Sequence, residues 1–347
     1  MRKALVDYLE SEIEKKHIPG AVLLVSHKGN VILKEAIGYK QVFPEKKKMT
    51  TNTVFDLASL TKVVATLPAV LKLKDSGLLS LDDSVQKYIP GFSDPAVTIK
   101  HLLTHTSGLP ASKHYSQTNF TYDQVIQDIN SMGGNETAGT EVVYSDLGFI
   151  LLKEVVEEIV KEEYLSFLKR ELFDPLQMSE TSFNPKLPKD RYATTEFSKE
   201  INGYKCGEVH DENAYYMGGI CGHAGLFSTI DNLSNFAQMI ESNGSFKGKQ
   251  LFNEETIALS KKNFTKELTE MRGLGWLLNG KGYNPCGDLF AENSYGHTGF
   301  TGTSIWFDPN KSLYIIMLTN RVHFGRHRHI LSIRPHVHSI IQTTLFE

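Results

Sequence analysis

Apolar residues near the start of the chain follow two periods, one helical and one extended. Through residues 5–13 they recur every four positions between charged residues, which predicts an amphipathic helix that ends at Pro19-Gly20. Two apolar, β-branched runs follow at residues 21–26 and 31–39, with a Lys-Gly-Asn turn at 28–30. This pattern predicts a β-hairpin after the first helix.

Strand patterns return in the last quarter of the chain. Residues 274–278, 303–307 and 313–318 have the apolar and β-branched composition of strands. An apolar-periodic helix is predicted over residues 330–341, kinked or interrupted at Pro335. Strands are therefore expected from both ends of the chain.

Helical patterns fill the middle of the chain, and the region from 184 to 208 is polar and loop-rich. A capping box of Ser228 and Asp231 is predicted to open the last of these helices. The order of elements indicates an α/β protein of the α+β type, in which residues 1–66 and 264–347 build one sheet and residues 67–263 form an inserted helical domain. The helices are predicted at residues 98–108, 122–132, 145–159, 165–172 and 228–239.

A Ser-Leu-Thr-Lys sequence stands directly before an apolar-periodic run from Val63 to Leu73. If a helix begins near Ser59, Lys62 lies one turn away on the same face. A lysine whose pKa is lowered by burial can take the proton of a serine hydroxyl and make it a nucleophile. Ser59 could equally be a helix N-cap, because S-x-x-K fixes only two positions. Pro68 predicts a bend in this helix near Val64.

Two later segments contain polar residues that could act together with a serine and a lysine. Tyr144 precedes the predicted helix that Ser145 or Asp146 would cap. A phenol at a helix N-terminus near a lysine can shuttle protons, although a half-buried structural tyrosine is the ordinary alternative. His297 lies among the small residues of 296–302, which would let a substrate lie along the strand edge.

Several histidines and carboxylates of the chain could instead bind a metal ion. His101 and His105 stand four residues apart, but no third ligand lies near them in sequence. The five histidines from 323 to 338 are predicted to form a solvated, weakly basic surface. Hydrogen bonding and packing are the preferred roles throughout, so no metal and no cofactor are expected. A further metal-capable set also lacks compact zinc spacing: His210, Asp211, Glu212 and His223.

Composition narrows the class of protein. The chain has 347 residues, 40% hydrophobic and 22% charged, with a formal net charge of -3 and a pI near 6.5. This gives no electrostatic pull toward nucleic acid or an anionic membrane. No apolar run of about 18 residues exists, and charges interrupt the first ten residues before a signal-peptide core can form. We expect a cytoplasmic protein without a membrane span, and its three cysteines are expected to be reduced thiols.

Taken in order, Ser59-x-x-Lys62, Tyr144-Ser145-Asp146 and His297-Thr298-Gly299 resemble a known motif set. It belongs to the class C β-lactamase and low-molecular-mass penicillin-binding protein superfamily of serine hydrolases, which uses S-x-x-K, Y-x-N and K-T-G or H-x-G. Segments across roughly residues 18 to 320 share the likeness. The resemblance implies a β-lactamase/transpeptidase-like fold: an antiparallel sheet flanked by terminal helices, an all-helical inserted domain, and the active site between them.

The resemblance also implies a role for each matching residue. Ser59 would be the nucleophile, Lys62 its general base, and Tyr144 the group that passes a proton to the leaving group and activates the deacylating water. Backbone N–H groups, including that of Ser59 and a second one near Thr301, would form the oxyanion hole. Substrate-binding residues would come from the second and third motifs: Asp146, His297, Thr298, Gly299 and Thr301.

Two positions depart from the motif set. Asp146 replaces the usual asparagine, so an acceptor-only carboxylate stands where an amide could donate. If ionised, Asp146 would favour a protonated Lys62, which cannot act as a base; if neutral, it could still donate. His297 replaces the lysine that meets a substrate carboxylate, and that contact loses its permanent charge near neutral pH. Both changes argue against ordinary β-lactamase or D,D-carboxypeptidase activity.

The YSD motif, the histidine-type third motif and the segments 209–214 and 222–226 resemble a subgroup that contains exo-acting N-acetylmuramyl-L-alanine amidases. We therefore expect a serine hydrolase that cleaves an amide or ester through an acyl-enzyme, on a small molecule or short peptide such as a peptidoglycan-derived muropeptide. The alternatives are a carboxylesterase of the same fold, a weak β-lactamase or D,D-peptidase, and a metallohydrolase using His210, Asp211 and His223. A non-catalytic penicillin-binding module is less favoured, because binding alone requires no general base. The motifs do not specify the oligomeric state.

Overall fold

The computed structural model describes residues 1–133, 138–280 and 284–346. Ten α-helices occur in this part of the chain: α1 Arg2–Glu14, α2 Leu67–Asp75, α3 Ile99–Leu103, α4 Tyr122–Asn130, α5 Asp146–Val160, α6 Tyr164–Leu168, α7 Glu212–Tyr216, α8 Ile230–Glu241, α9 Glu254–Ser260 and α10 Ile330–Phe346. The strands are β1 Gly20–His27, β2 Asn30–Gln41, β3 Lys47–Lys48, β4 Phe55–Asp56, β5 Ser182–Phe183, β6 Phe197–Ser198, β7 Gly203–Tyr204, β8 Leu226–Ser228, β9 Ser245–Phe246, β10 Lys249–Gln250, β11 Leu277–Leu278, β12 Tyr295–Thr298, β13 Ser304–Asp308 and β14 Leu313–Thr319.

A seven-stranded antiparallel sheet joins the two ends of the chain in the order β11-β12-β13-β14-β1-β2-β3. At its centre β1 pairs with β14, and Ala21 lies opposite Thr319. This confirms the predicted fold class, with one sheet contributed by both termini. The exact domain boundaries, 1–66, 67–263 and 264–347, stay a prediction.

The sheet separates two hydrophobic cores. Leu23 of β1 packs in the core that contains Leu9 of α1 and Val337 of α10. The next residue, Leu24, points to the opposite face and joins the core shared with the helices inserted between the two halves of the sheet. Because β1 is buried on both faces, its sequence is a continuous apolar run rather than an alternation.

The helix predicted to begin at Ser59 has three successive forms. Ala58–Leu60 is a 3₁₀ turn, Lys62–Thr66 a π turn, and regular α-helix begins only at Leu67. Pro68 is the second residue of α2 and follows directly on the π turn. Val64, where a bend is predicted, lies within this π turn, and the bend itself stays a prediction.

Several element ends differ from their predictions. Thr98 does cap α3, but that helix ends at Leu103, well before Gly108. The helix α8 is capped by Thr229, because Ser228 already pairs with Phe55 of the neighbouring strand β4. The last helix continues through Pro335 without interruption. Short strands lie between the inserted helices, including the three-stranded sheet β4-β8-β5.

In the described part of the chain, every helix is too short or too polar to cross a membrane.

Candidate active site

Ser59 lies on a turn that is held from several sides. The preceding residue, Ala58, has a φ of 47°, a left-handed conformation that is rare for a residue with a Cβ. Its N–H donates to Oδ1 of Asp56 at 2.8 Å, and the other oxygen of Asp56 accepts from the N–H of His210 at 2.6 Å. Burial raises the pKa of Asp56, and these two backbone donors oppose that rise. The buried carboxylate thus ties the serine turn to the segment around His210.

Lys62 lies directly beneath Ser59 and is fully buried. Its Nζ lies 3.3 Å from Ser59 Oγ, 2.6 Å from Oδ1 of Asp146 and 3.2 Å from the carbonyl oxygen of His223. Burial alone would lower the pKa of Lys62, but the charge of Asp146 and the hydrogen bonds of Asp146 and Tyr144 outweigh it, so the pKa lies above its ordinary value. Lys62 therefore rests as an ammonium ion in the free protein.

Tyr144 lies beside the lysine, at the entrance of α5. The Lys62 Nζ is 4.8 Å from the centroid of the Tyr144 ring. Ser145 caps α5 by accepting a hydrogen bond from Gly148, which leaves Asp146 as the first helical residue with its carboxylate on Lys62. His105, whose ring lies 4.5 Å from that of Tyr144, accepts the N–H of Ser145 at Nδ1, 3.0 Å away. His105 thus packs against the phenol rather than forming a site with His101.

A second charged pair lies behind Lys62. The Nε2 atom of His223 is 3.0 Å from Oδ1 of Asp211. Burial would lower the pKa of His223, but the Asp211 carboxylate outweighs burial and raises it to about 10. The same contact holds the pKa of Asp211 well below its usual value, against the effect of burial. The pair is therefore an imidazolium and a carboxylate at neutral pH.

Three of these side chains have the geometry of metal ligands. Ligand atoms of Asp146, Asp211 and His223 lie within 4.8 Å of one another. In this arrangement Asp146 already binds the ammonium of Lys62. His210, which completed the set suggested by the sequence, instead contacts Glu196 at 2.9 Å. The cluster holds two cationic and two anionic side chains, which balance without an added metal ion.

The third motif forms one wall of the site. His297 lies on β12, with Nδ1 3.0 Å from the carbonyl of Thr298. Burial lowers the pKa of His297 well below its ordinary value, and the charges of Arg272 and Lys62 lower it further. His297 is therefore neutral near pH 7, and it cannot supply the charge that a lysine would bring to this position.

The loop after His297 holds the serine turn in place. The hydroxyl of Thr301 donates to the carbonyl of Asp56 at 2.8 Å, and that of Thr303 to the carbonyl of Leu57 at 2.9 Å. A Cβ on Gly299 would lie 2.4 Å from the carbonyl oxygen of Leu57, so only glycine fits there. The Thr301 side chain thus holds the turn that carries Ser59, and a second oxyanion donor near Thr301 stays a prediction.

An open cavity of about 500 Å³ contains Ser59 on its lining. Tyr144, His297, Thr298 and Gly299 line the same cavity, so the structure brings the serine together with residues from the second and third motifs. Lys62 and Asp146 lie behind this surface. A serine hydroxyl that faces a cavity and contacts a buried lysine amine suits acyl transfer to serine.

The sequence profile of the β-lactamase family matches residues 5–336. The chain belongs to the β-lactamase family. Its family and the activities named for its relatives make it a hydrolase of the serine-hydrolase type.

Relatives of this β-lactamase-family enzyme carry several activities in their names. The chain is 36% identical to an N-acetylmuramyl-L-alanine amidase of Bacillus subtilis, over 88% of this chain and 78% of the relative. It is 33% identical to a putative D-alanyl-D-alanine carboxypeptidase of Escherichia coli, over 88% of this chain and 79% of that relative. These matches cover most of both chains.

Solved structures share the fold at lower identity. EstCE1, a hydrolase with promiscuous acyltransferase activity, superimposes with a TM-score of 0.78 at 22% identity, covering 97% of this chain and 98% of that one. A class C β-lactamase gives a TM-score of 0.76 at 22% identity, over 99% and 96%. At this identity the likeness shows the fold alone, which confirms the predicted β-lactamase/transpeptidase-like architecture.

Sequence reasoning missed several residues of the site. Arg272 and Glu270 line the cavity but stand outside every motif, directly before a predicted strand. The C-terminal segment was expected to be a solvated surface, yet His323 and His338 are buried. Arg334, on the last helix, is buried as well and reaches the cavity. The only sequence signal for a residue of this group was that of Arg334, a charged residue at an apolar-periodic position of the last helix.

Proposed function

We propose that this enzyme hydrolyses the amide bond of an N-acyl amino acid or short peptide of the kind released from peptidoglycan, through an acyl-enzyme on Ser59. The observation that carries the proposal is the 3.3 Å contact between Ser59 Oγ, at the cavity, and the buried Nζ of Lys62. The named activities of the two curated relatives support amide cleavage in muropeptides.

The first half of the proposed reaction is acylation. Ser59 Oγ attacks the carbonyl carbon of the substrate as its proton passes to Lys62, and backbone N–H groups stabilise the oxyanion. Tyr144 then carries a proton to the leaving amine, so that the C–N bond breaks and the acyl group stays on Ser59. In the second half a water molecule, activated by Tyr144 and Lys62, hydrolyses the ester and restores the serine.

The resting ammonium of Lys62 sets a condition on this reaction. Lys62 must lose one proton before it can accept that of Ser59, because a lysine ammonium has donors only. Its partners Asp146 and Tyr144 therefore control how often the neutral amine is present. In the Y-S-D motif, the charge of Asp146 thus keeps a proton on Lys62. In a Y-x-N motif the residue at that position is an asparagine, whose amide carries no charge and has no such effect.

Mass spectrometry after incubation with a fluorophosphonate tests the nucleophile. We expect one covalent adduct on Ser59, none in Ser59→Ala, and an unchanged adduct in the control Ser166→Ala, which alters an exposed serine of α6. Absence of an adduct on Ser59 in the folded wild type would contradict the assignment. EDTA should leave labelling and turnover unchanged, whereas a metallohydrolase would lose turnover.

A substrate panel then separates the remaining activities. We expect release of L-alanine from N-acetylmuramyl-L-alanine to exceed hydrolysis of p-nitrophenyl esters, D-alanyl-D-alanine peptides and penicillin. Preference for the esters would favour the carboxylesterase alternative, and a stable penicilloyl adduct without turnover would favour a binding module. Each substrate is compared in wild type and Ser59→Ala to exclude contaminating activity.

A further inference from the structure

Another open cavity, of about 410 Å³, contains Lys261 and Glu241 on its lining. Ser59, Tyr144 and His297 line a different cavity. Glu241 is the last residue of α8 and Lys261 follows the end of α9, so the two side chains come from consecutive helices. Both residues are partly exposed, and the proposed hydrolysis uses neither. An amine and a carboxyl group that share a cavity are candidates for a chemistry of their own.

The amine of Lys261 is held by two acceptors. Its Nζ lies 3.0 Å from the carbonyl oxygen of Ile240 and 3.3 Å from Oδ1 of Asn243. The Nδ2 of Asn243 donates to Glu254 at 3.2 Å, which fixes the amide with its oxygen toward the lysine. A neutral amine has two N–H donors and a lone pair, whereas an ammonium has three donors. The two acceptors therefore satisfy the neutral amine, and its lone pair stays free to attack an electrophile.

The surroundings of Lys261 disfavour its charged form. Both Nζ contacts are to uncharged oxygen atoms, so within the described part of the chain no salt bridge holds a proton on Lys261, in contrast to Lys62. Burial lowers the pKa of Lys261 to about 8, and the charge of Glu241 opposes this effect only in part. Burial also raises the pKa of Glu241 to about 7, against the effect of Lys261. A part of Lys261 is therefore a neutral amine near pH 7.5.

The rest of the lining favours an uncharged reactant. Apolar side chains form much of the wall: Ala258, Tyr295, Phe307, Pro309 and Leu313. Besides Lys261, the ionisable groups of the described lining are the carboxyl groups of Glu241 and Asp308 and the phenol of Tyr295. Burial raises the pKa of Tyr295, so this phenol is neutral, and Asp308 accepts hydrogen bonds from two backbone N–H groups. Carboxylates repel an anionic acyl donor such as an acyl phosphate, but not an uncharged thioester.

We propose that Lys261 is a modification site that takes an acyl group from a thioester entering this cavity. Nζ attacks the thioester carbonyl carbon, the C–N bond forms as the C–S bond breaks, and the proton lost by nitrogen leaves with the sulfur as a thiol. The product is an uncharged amide, which costs less to keep partly buried than an ammonium does. Its remaining N–H can still donate to Ile240 or Asn243. The modification does not require Ser59.

Acetylation rates measured by mass spectrometry test the site. The folded protein is incubated at pH 7.5 with the thioester S-acetyl-N-acetylcysteamine, and the exposed Lys262 is the internal control. Cleavage after Glu255 and Glu267 places both lysines on one peptide, and fragment ions separate them. We expect Lys261 to react about 10-fold faster than Lys262, because its larger neutral fraction outweighs its lower basicity and its partial burial. A rate at Lys261 equal to or below that at Lys262 would overturn the proposal.

The pH dependence of acetylation gives a second readout. The rate at Lys261 should level off above about pH 8, whereas an ordinary exposed lysine reacts faster up to about pH 10. Glu241→Gln removes the charge that opposes burial, so the midpoint for Lys261 should move to lower pH. The control Glu255→Gln, at an exposed carboxylate of α9, should leave the midpoint in place. A midpoint that does not move in Glu241→Gln, or that moves equally in both variants, contradicts the role given to this cavity.

Two comparisons separate this site from the active site and identify the donor. Ser59→Ala should acetylate Lys261 at the wild-type rate, whereas loss of acetylation would mean that an acyl group on Ser59 is the source and would overturn the proposal. With acetyl phosphate in place of the thioester, the ratio of the rates at Lys261 and Lys262 should fall, because the donor is anionic. An equal or higher ratio would overturn the assignment of a thioester.

Discussion

Replacing Asp146 by asparagine should make Lys62 a better base. The Nζ of Lys62 lies 2.6 Å from Oδ1 of Asp146, and the lysine side chain is fully buried while that of Asp146 is 22% exposed. An opposite charge at this distance typically shifts a pKa by about 1 to 3 units. Asp146→Asn keeps the size of the side chain but removes its charge. We expect the pKa of Lys62 to fall, because the charge that opposes the effect of burial is removed.

The rate of fluorophosphonate labelling of Ser59, measured from pH 5 to 11, reports this change. Labelling needs neutral Lys62, so its rate rises with pH and its midpoint follows the lysine pKa. Asn at position 146 stabilises the ammonium less, so the midpoint should move to lower pH. At pH 7, below both midpoints, labelling should accelerate by up to ~100-fold.

The control is Asp231→Asn, which removes a surface carboxylate paired with Lys34 and should leave the midpoint in place. Melting temperatures of both variants establish that the comparison is between folded proteins. A midpoint that stays fixed or moves to higher pH in Asp146→Asn would refute the reasoning, because it would mean that Asp146 does not hold the proton on Lys62.

Three other outcomes follow from the structure. Ser59→Ala should lower hydrolysis of any substrate by at least ~1000-fold with little change in melting temperature, as measured by initial rates and calorimetry. The Asp211–His223 pair stabilises the fold fully below the ordinary histidine pKa and loses this effect as pH rises toward 10. Wild-type melting temperature should therefore fall by roughly 5 °C more than that of Asp211→Asn between pH 7 and 10; equal slopes would contradict the ion pair. Gly222→Ala places a Cβ 2.0 Å from a carbonyl oxygen of α5 and should cost about 2–4 kcal/mol in urea unfolding. The control Gly29→Ala, at an open turn with a φ of +74°, should cost about 1 kcal/mol.

The sequence predicts the frame of the fold because buried strands and amphipathic helices leave periodic patterns. The hairpin β1–β2 and the helix α5 appear in the structure close to their predicted ranges. The ends of helices and strands are harder to predict where one residue could belong to either of two elements. Ser228 and Thr229 both offer a capping hydroxyl, and pairing of β8 with β4 decides for Thr229. Likewise the π turn at Lys62–Thr66 has no composition that separates it from α-helix.

The candidate site, like the fold, could be predicted from the sequence only in part. Ser59, Tyr144 and His297 could be named from motifs, and the structure brings all three to one cavity. Arg272 could not be named, because it stands outside every motif and reaches the cavity only through the fold. Asp56 is similar, since its two oxygens bind backbone N–H groups from segments more than 150 residues apart in sequence.

The central pairing of β1 with β14 has a consequence for synthesis of the protein. Ala21 meets Thr319 across nearly the whole length of the chain, and Thr301 and Thr303 must arrive before the carbonyl groups of Asp56 and Leu57 are held. During translation the serine and its lysine leave the ribosome hundreds of residues before these partners. Contacts of such long range form late and slowly. The nascent chain therefore cannot complete the turn that carries Ser59 until the loop after β12 and the strand β14 have been made, so the proposed catalysis cannot begin before then.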